Sequence, residues 1–489
     1  MNIPITGYIL IPLGLLIVLL PWRYCLIALM VFAMMSPAAV VNVGKFGLQP
    51  GYYLSILLIL RTFAEIMAGR FTLNTFVLWR MRPVFYFDIV VLVVLFIALC
   101  FFQREVAVLP GTGGFKSAVT HPFHLSRENY TQIAYLTLNT CLIYVMGHQG
   151  ARRYLPQLLR DWDIAVVCGL CFAVAICLWQ ISSLYAGIYF PSDFFYSNAG
   201  YSRADSQSMV GLFRINGPFE EPSTLGYTFS GYLLFAWLRY RLYPTAFSVV
   251  LIAACIFCML VSTSTTAFAG LFLFGCFVLY DIVVARIHLL TRDYKLSSGQ
   301  LAAIGIIALA ILAGCTVVAT NWGAIHVVLE KTLFQKSQST SFQEREFADI
   351  LAMHIFVETY GIGVGLGSDK ANSMLLSLLS NTGIVGCVLF GAFIVTILQP
   401  VRTKLYPQAN EALRKAIRPF QWGVLGLVLM HIISNPNLST LTLWVELGGV
   451  LALQAAVHKS LAVPENGIAP ACVTQPGRGV PTQHARGET

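Results

Sequence analysis

Charge is what this chain has least of. Only 11% of its 489 residues are Asp, Glu, Lys or Arg, against 57% hydrophobic, whereas a soluble globular domain carries about a quarter charged residues. That scarcity excludes water as the main solvent. Extended polar stretches are scarce as well. Apolar runs close to the roughly 20 residues needed to cross hydrocarbon recur from end to end, and unpaired backbone groups are too costly there for anything but helices or closed barrels. The expected class is an all-α polytopic integral membrane protein of about 12–14 transmembrane helices. The first run, Ile5 to Leu20, has no basic residue before it and no small-residue cleavage site after it, so it reads as a retained helix and not a removable signal.

Other absences narrow the function. The net charge is +9, yet Lys and Arg sit in short loops between apolar runs and not on one polar face. Nucleic acid is therefore not an expected partner. The 12 cysteines are scattered mostly through apolar segments. Cys168/Cys171 and Cys255/Cys258 have CxxC spacing without a second polar ligand set, so packing is expected and no metal site. No internal repeat is visible, which counts against inverted-repeat transporter plans.

The expected spans lie near 5–20, 24–40, 52–67, 86–102, 129–147, 163–186, 223–238, 245–262, 265–284, 299–319, 373–398, 419–434 and 440–457. Alternating sides then give 20 of the 31 Lys and Arg residues to one face and 10 to the other, with Arg61 inside a span. The positive-inside rule makes the richer face cytoplasmic, which puts the N-terminus in the periplasm and the C-terminus in the cytoplasm of an inner-membrane protein. One transmembrane domain is expected over 1–462, followed by a disordered cytoplasmic tail at 463–489 rich in Pro, Gly and Thr. Three long loops, 103–128, 187–222 and 320–372, fall outside, and connections of that length are seldom idle.

The second outer loop ends in Arg214-Ile-Asn-Gly217-Pro-Phe-Glu220-Glu221-Pro222-Ser223. Pro222 suits the first turn of a helix, so both glutamates stand at the helix start. Capping explains acid there, but two acids beside Arg214 at a membrane surface exceed what one cap needs, and a catalytic role is the competing reading. The third loop holds Arg345, Asp349, His354 and Glu358, followed by Gly361-Ile-Gly-Val-Gly-Leu-Gly367-Ser-Asp369. Phe347, Ile350, Leu351 and His354 share one helical face, which predicts an amphipathic helix against the membrane, stopped by Gly361, with Arg345 on a different face. Ion pairs of Arg345 with Asp349 and of His354 with Glu358 are the structural alternatives. The alternating glycines make either a tight turn or a nest of amides for a diphosphate.

Three further features read as structural. Asp161-Trp-Asp163 has DxD spacing but stands alone at a helix start. Arg61 and Glu65 are expected to neutralise each other in the bundle interior, with a functional role held in reserve because intramembrane charge is rarely idle. His121 and His124 lack a third ligand and read as solvated loop residues.

The stretch RINGPFEEPSTLG followed by a span resembles the R-x-x-G-x-F-x-(E/N)-P-(S/N) segment of bacterial O-antigen and exopolysaccharide polymerases. Its EPS variant is similar to the exopolysaccharide branch. Arg345, GIGVGLGS and SMLLSLLSNTGIVGCVLFGAF resemble the second signature of the superfamily. The stretch STSTTAFAG at 262–270 is similar to its Ser/Thr turn between two central helices. The resemblance covers most of residues 200–400.

The superfamily holds Wzy-type polymerases and WaaL-type ligases. The resemblance implies transfer of a glycan from an undecaprenyl-diphosphate carrier at the periplasmic face, with membrane lipid as surroundings and a flippase and chain-length regulator as partners. No cofactor or metal is expected, because the donor already carries its leaving group. Arg214 and Arg345 are candidates to hold the diphosphate, since a guanidinium fork matches phosphate oxygens. Glu220 or Glu221 is the candidate general base. Arg203, His354, Asp369 and Asn372 complete the candidate substrate-binding set. Ligases carry a His-Asn or His-Ser pair where this chain reads Lys370-Ala371-Asn372-Ser373, with Ala371 at the ligase histidine. That departure favours a polymerase over a ligase, with His354 as the only substitute in view, and a flippase or permease stands behind both.

Overall fold

The computed structural model describes residues 1–69, 74–109, 119–201, 208–209, 212–289, 340–401 and 407–462. The expected span at 299–319, the tail at 463–489, Arg203 and the first part of the third outer loop lie outside the described residues.

The described chain is a helical bundle with three two-residue or three-residue hairpins at its edge. Its helices are α1 (Ile5–Leu19), α2 (Trp22–Ala33), α3 (Pro50–Met67), α4 (Thr75–Phe101), α5 (Arg127–Ala151), α6 (Leu155–Ala186) and the single turn α7 (Ser192–Phe195). After these come α8 (Pro222–Leu242), α9 (Ala246–Val261), α10 (Thr265–Leu289), α11 (Thr340–Glu358), α12 (Met374–Leu398), α13 (Pro407–Ser434) and α14 (Leu441–Ala462). Six of them, α4, α6, α10, α12, α13 and α14, contain stretches long and apolar enough to cross a membrane, which makes this an all-α membrane protein. Large apolar side chains face outward along many helices, Leu16, Phe96, Phe272 and Val388 among them. Lipid, not water, is the solvent such a surface fits.

Local sequence sets the helix ends. Asn74 accepts from the Val77 amide at 3.0 Å, Ser126 and Asn129 form a capping box on α5, and Gly187 closes α6 in the left-handed conformation. Several helices outrun the spans expected from apolarity. α4 begins at Thr75 and α6 at Leu155 because helix continues through Arg80 and Arg82 and through Arg160, Asp161 and Asp163, whereas an apolar run registers only the part beyond those charges. α2 is shorter than the expected 24–40 span. Ser36 precedes Pro37, whose ring disfavours helix before it, and residues 41–43 pair with 46–48 as a hairpin instead.

α14 is the pillar of the bundle, 94% of its spanning window being buried. It packs against α5, α13 and α6, while α8 lies along α13 and α4 along α12. Two of its buried polar residues, Glu446 and Gln454, are shielded by this burial, Glu446 beside Tyr232 of α8 and Gln454 donating to the Gln399 carbonyl at 2.9 Å.

Contacts between loops show the two ends of the bundle. One end joins the Pro37 carbonyl to Asn198, Leu109 to Lys370, Leu366 to Asn129, Ser262 to Arg214 and Ser439 to Tyr52. These all come from segments that the alternation of spans assigns to one side. The other end holds Arg23, Arg152, Arg239, Arg241 and Lys459.

One expectation about charge is corrected at that arginine-rich end. Arg61 and Glu65 do pair at 3.5 Å, but not in the bundle interior. The Arg61 guanidinium caps α1 by donating to the Val18 and Leu20 carbonyls at 2.7 and 2.8 Å, and Glu65 also reaches Arg152 at 3.2 Å. Asp161 and Asp163 do not converge as a DxD pair would. Asp161 meets Arg23 at 3.6 Å and Asp163 takes a two-pronged contact from Arg239 at 2.7 and 3.0 Å.

Candidate active site

The segment Arg214–Glu221 is held from below by two side chains that sequence reading passed over. Gln180 of α6 accepts from the amides of Asn216 and Gly217 at 3.1 and 2.8 Å and donates to the Asn216 side chain at 2.8 Å. Tyr196 donates to the Gly217 carbonyl at 2.6 Å. Asn216 is fully buried and returns a bond to the Phe219 carbonyl at 2.7 Å. Gly217 has φ +58°, and a Cβ there would stand 2.4 Å from the Cys177 sulfur. The asparagine and glycine of the motif are thus a fixed base from which Arg214 and Glu220 project.

Arg214 is half-buried, and its Nε lies 3.4 Å from the Ser262 carbonyl in the Ser/Thr turn between α9 and α10. Loss of hydration pulls its pKa down, Glu221 pulls it up, and Arg345 pushes it further down. The two arginines, from motifs more than a hundred residues apart, therefore feel each other's charge. Among the described residues no ion pair engages Arg345. Its expected partner Asp349 is occupied elsewhere, accepting from the amides of Asn372 and Ser373 at 2.8 and 3.2 Å at the start of α12.

Glu220 and Glu221 are adjacent but differ. Glu221 is exposed at the N-cap of α8, with Ser223 donating to it at 3.0 Å, and Pro222 opens the helix as its ring predicts. Glu220 turns inward. Thr224 donates to it at 3.4 Å, and it lines a cavity of about 20 Å³ with Gln49, Tyr201, Thr224, Asn437 and Thr440, room for about one water molecule. Gln49 donates to the Tyr201 hydroxyl at 3.0 Å, which in turn meets Glu220. Desolvation, followed by the Glu221 charge, pushes the Glu220 carboxyl up to about 7, against smaller opposing pulls from Thr224, Tyr201 and Lys370. Lys370 is half-buried, its pKa drawn down by burial and held up by Glu221 and Glu220. Sequence reading missed Lys370, Tyr201 and the short α13–α14 connection, because none of them carries a spacing signal.

The glycine-rich segment corrects one expectation and explains another. As a nest for a diphosphate it has no free amides over Gly361–Gly365. The Gly361, Ile362 and Gly363 amides bond back to Phe356 and Thr359, while those of Val364 and Gly365 bond to the Ser380 and Asn381 carbonyls at 2.9 Å. The partner carbonyls are open because α12 is broken at Gly383, whose φ is +67°. Asn381 completes the join, accepting from the Ser368 and Asp369 amides and donating to the Asp369 carbonyl at 2.9 Å. A Cβ on Gly363 or Gly383 would strike the facing backbone at 2.9 or 2.3 Å. Two backbones lie side by side here, and the glycines are what lets them approach.

The remaining candidates separate. Asp369 is buried and bonds the Leu109 amide at 3.2 Å, its carboxyl pushed up to about 6 by desolvation, so it latches the first outer loop onto this segment. Asn372 contributes its backbone to the α12 start. His354 is exposed, half a turn around α11 from Arg345. Ala348, Ala352 and Ile355 form the buried face of α11, while Phe347 and Ile350, expected to share a face with His354, point outward.

No family model and no curated protein matches the chain. At the end of the bundle where the long loops meet, two distant motifs bring three cations and two carboxylates to one region.

Proposed function

We propose that the chain is a membrane glycosyltransferase that polymerises oligosaccharide repeat units carried on a polyprenyl diphosphate, acting at the outer face of a bacterial inner membrane. The observation that carries this reading is that Arg345 acts by its charge on both Arg214 and Lys370, beside the Glu220–Glu221 pair. Like charges are brought together in a half-buried place only at a cost, and a polyanion offsets it. The arginine-rich end lies in the cytoplasm by the positive-inside rule, which leaves this cluster outside.

In the reaction an acceptor sugar hydroxyl attacks the anomeric carbon of the donor. Glu220 takes the hydroxyl proton, the new glycosidic bond forms, and the bond to the diphosphate breaks with its electron pair passing to phosphate oxygen. Arg214, Arg345 and Lys370 hold the charge that develops on the leaving group. Glu220 fits the base role because its carboxyl titrates near neutrality and adjoins a polar cavity. Glu221 acts through its charge. The break in α12 does not favour a transporter, because the chain's own 361–369 segment fills it.

The test is the glycan pool on the carrier lipid in cells lacking the protein. Single lipid-linked repeats support polymerisation. Long lipid-linked chains point to a ligase, and a pool confined to the cytoplasmic leaflet to a flippase.

A further inference from the structure

A second feature lies at the opposite end and is independent of the proposed reaction. Between α3, α4 and α5 runs a groove of about 270 Å³, lined by Phe63, Ile66, Leu78, Phe85, Cys141 and Tyr144 among others. Phe63 and Cys141 stand exposed at its opening, so it is open sideways to lipid. Its volume is that of roughly nine waters, yet almost all of its wall is apolar, and apolar cavities do not hold water. The occupant it suits is a hydrocarbon chain.

The charge at the inner mouth says which kind. α4 rises from the arginine-rich end, so Leu78, Arg82 and Phe85 follow one another along the groove face at helical spacing. Arg82 is exposed, and its stem is long enough to carry the guanidinium back toward the mouth. On α5, Tyr144 leads two turns later to Arg152, whose side chain is 45% exposed and gives one nitrogen to Glu65 at 3.2 Å. Arg153 stands behind it over the Trp22 ring at 5.8 Å, and Arg61 completes the group. Arg61 and Arg152 both meet Glu65, at 3.5 and 3.2 Å, and Arg153 feels the charge of Asp161, so with Arg82 the cations outnumber the carboxylates here. An apolar groove that ends in excess positive charge at the level of the headgroups matches an anionic lipid from chain to phosphate.

We propose that this groove binds one acyl chain of an anionic phospholipid from the leaflet at the arginine-rich end, with its phosphate held by Arg152 and Arg82. The full chain, purified in a neutral detergent, is exposed to phosphatidylglycerol and phosphatidylcholine of identical acyl chains, and the lipid retained is measured by native mass spectrometry. Wild-type protein is expected to retain phosphatidylglycerol preferentially. Arg82→Gln and Arg152→Gln are each expected to lower that preference about fivefold. Cys141→Trp, placed at an exposed position, fills the groove and should lower retention of both lipids while the melting temperature stays near wild type. Equal retention of the two lipids overturns the proposal, as does an unchanged preference in the double arginine variant or undiminished retention in Cys141→Trp. Displacement of the phospholipid by an equimolar polyprenyl phosphate also overturns it, by assigning the groove to the carrier lipid.

Discussion

At the arginine-rich end Arg239 closes on Asp163 at 2.7 and 3.0 Å with a third bond to Ser248 at 2.9 Å, and Arg241 reaches Asp281 at 2.8 Å. At the loop-rich end the arginines are treated differently. Arg214 approaches the Ser262 carbonyl at 3.4 Å, and Arg345 has no ion pair among the described residues although Asp349 is one turn away. Capacity to pair is similar at both ends, since each has carboxylates within reach. What differs is that Asp349 and Asp369 are spent on backbone amides, and Glu220 is withdrawn into a cavity. A cation near an interface that could be neutralised and is not, as at Arg345, suits an external anion.

The sharpest break of this contrast comes from the arginines themselves. Arg214→Ala and Arg345→Ala are each expected to lower polymer formation by about 10²- to 10³-fold, the usual loss on removing a transition-state charge donor. Polymer made from lipid-linked repeats by membranes containing equal amounts of inserted protein is the measure. Wild-type rates in either variant would place that arginine with the structural ones.

Next in size is the difference between the glutamates. Glu220→Gln is expected to cost about 10²-fold or more, as loss of a general base does, and Glu221→Gln less than tenfold. The pH profile separates them further. A base works in its ionised form, so with the carboxyl near 7 the rate should rise through neutrality. Removing Glu221 takes away a like charge and should move that rise to lower pH. Lys370→Met and Tyr201→Phe take away groups that favour the ionised form and should move it to higher pH. Identical profiles in all three variants would detach the cluster from Glu220.

How much of this was legible in the sequence depends on what kind of signal each part leaves. The all-helical membrane class followed from hydrophobic runs, and Pro222 located the start of α8. The grouping of Arg214 with Glu220 and Glu221 was local and therefore readable. Lys370, Tyr201 and Gln180 were not, because each matters through a tertiary contact and sits in no periodic pattern. The glycine segment was visible as a turn, but its partner could not be foreseen. The break at Gly383 lies inside a continuous apolar run that reads as one helix. Arg61 and Glu65 misled in the other direction, since spacing predicts an i,i+4 pair and cannot say that the guanidinium also caps a neighbouring helix.

That break gives the third prediction. Gly383→Ala forces a Cβ to 2.3 Å from the Ile362 carbonyl at φ +67° and ψ −172°, a backbone region essentially reserved for glycine that alone costs about 1–3 kcal/mol for another residue. The melting temperature should fall, and polymer formation should fall with it, because the 361–369 segment carries Lys370. Gly391→Ala, where nothing lies within 4 Å of a new Cβ, is the matched control and should change neither. If both glycines behave alike, the close approach of the two backbones is not what positions the cluster.

The smallest effect is expected from the best-paired charge. Arg239→Leu removes a two-pronged bond to Asp163 between side chains 20% and 28% exposed. Pairs of that intermediate burial contribute about 1 kcal/mol, between exposed pairs that give little and buried ones whose loss strands a charge. Leucine keeps some of the apolar bulk, and Asp163 lies close enough to the surface to recover water, so unfolding should shift by a few degrees with polymer formation unchanged. The same charge removed at Arg345 should do the reverse, with little loss of stability and nearly all of the activity gone. A variant at Arg239 that lost polymer as fully as one at Arg345, at equal protein level, would mean that pairing does not separate structural from working arginines in this bundle.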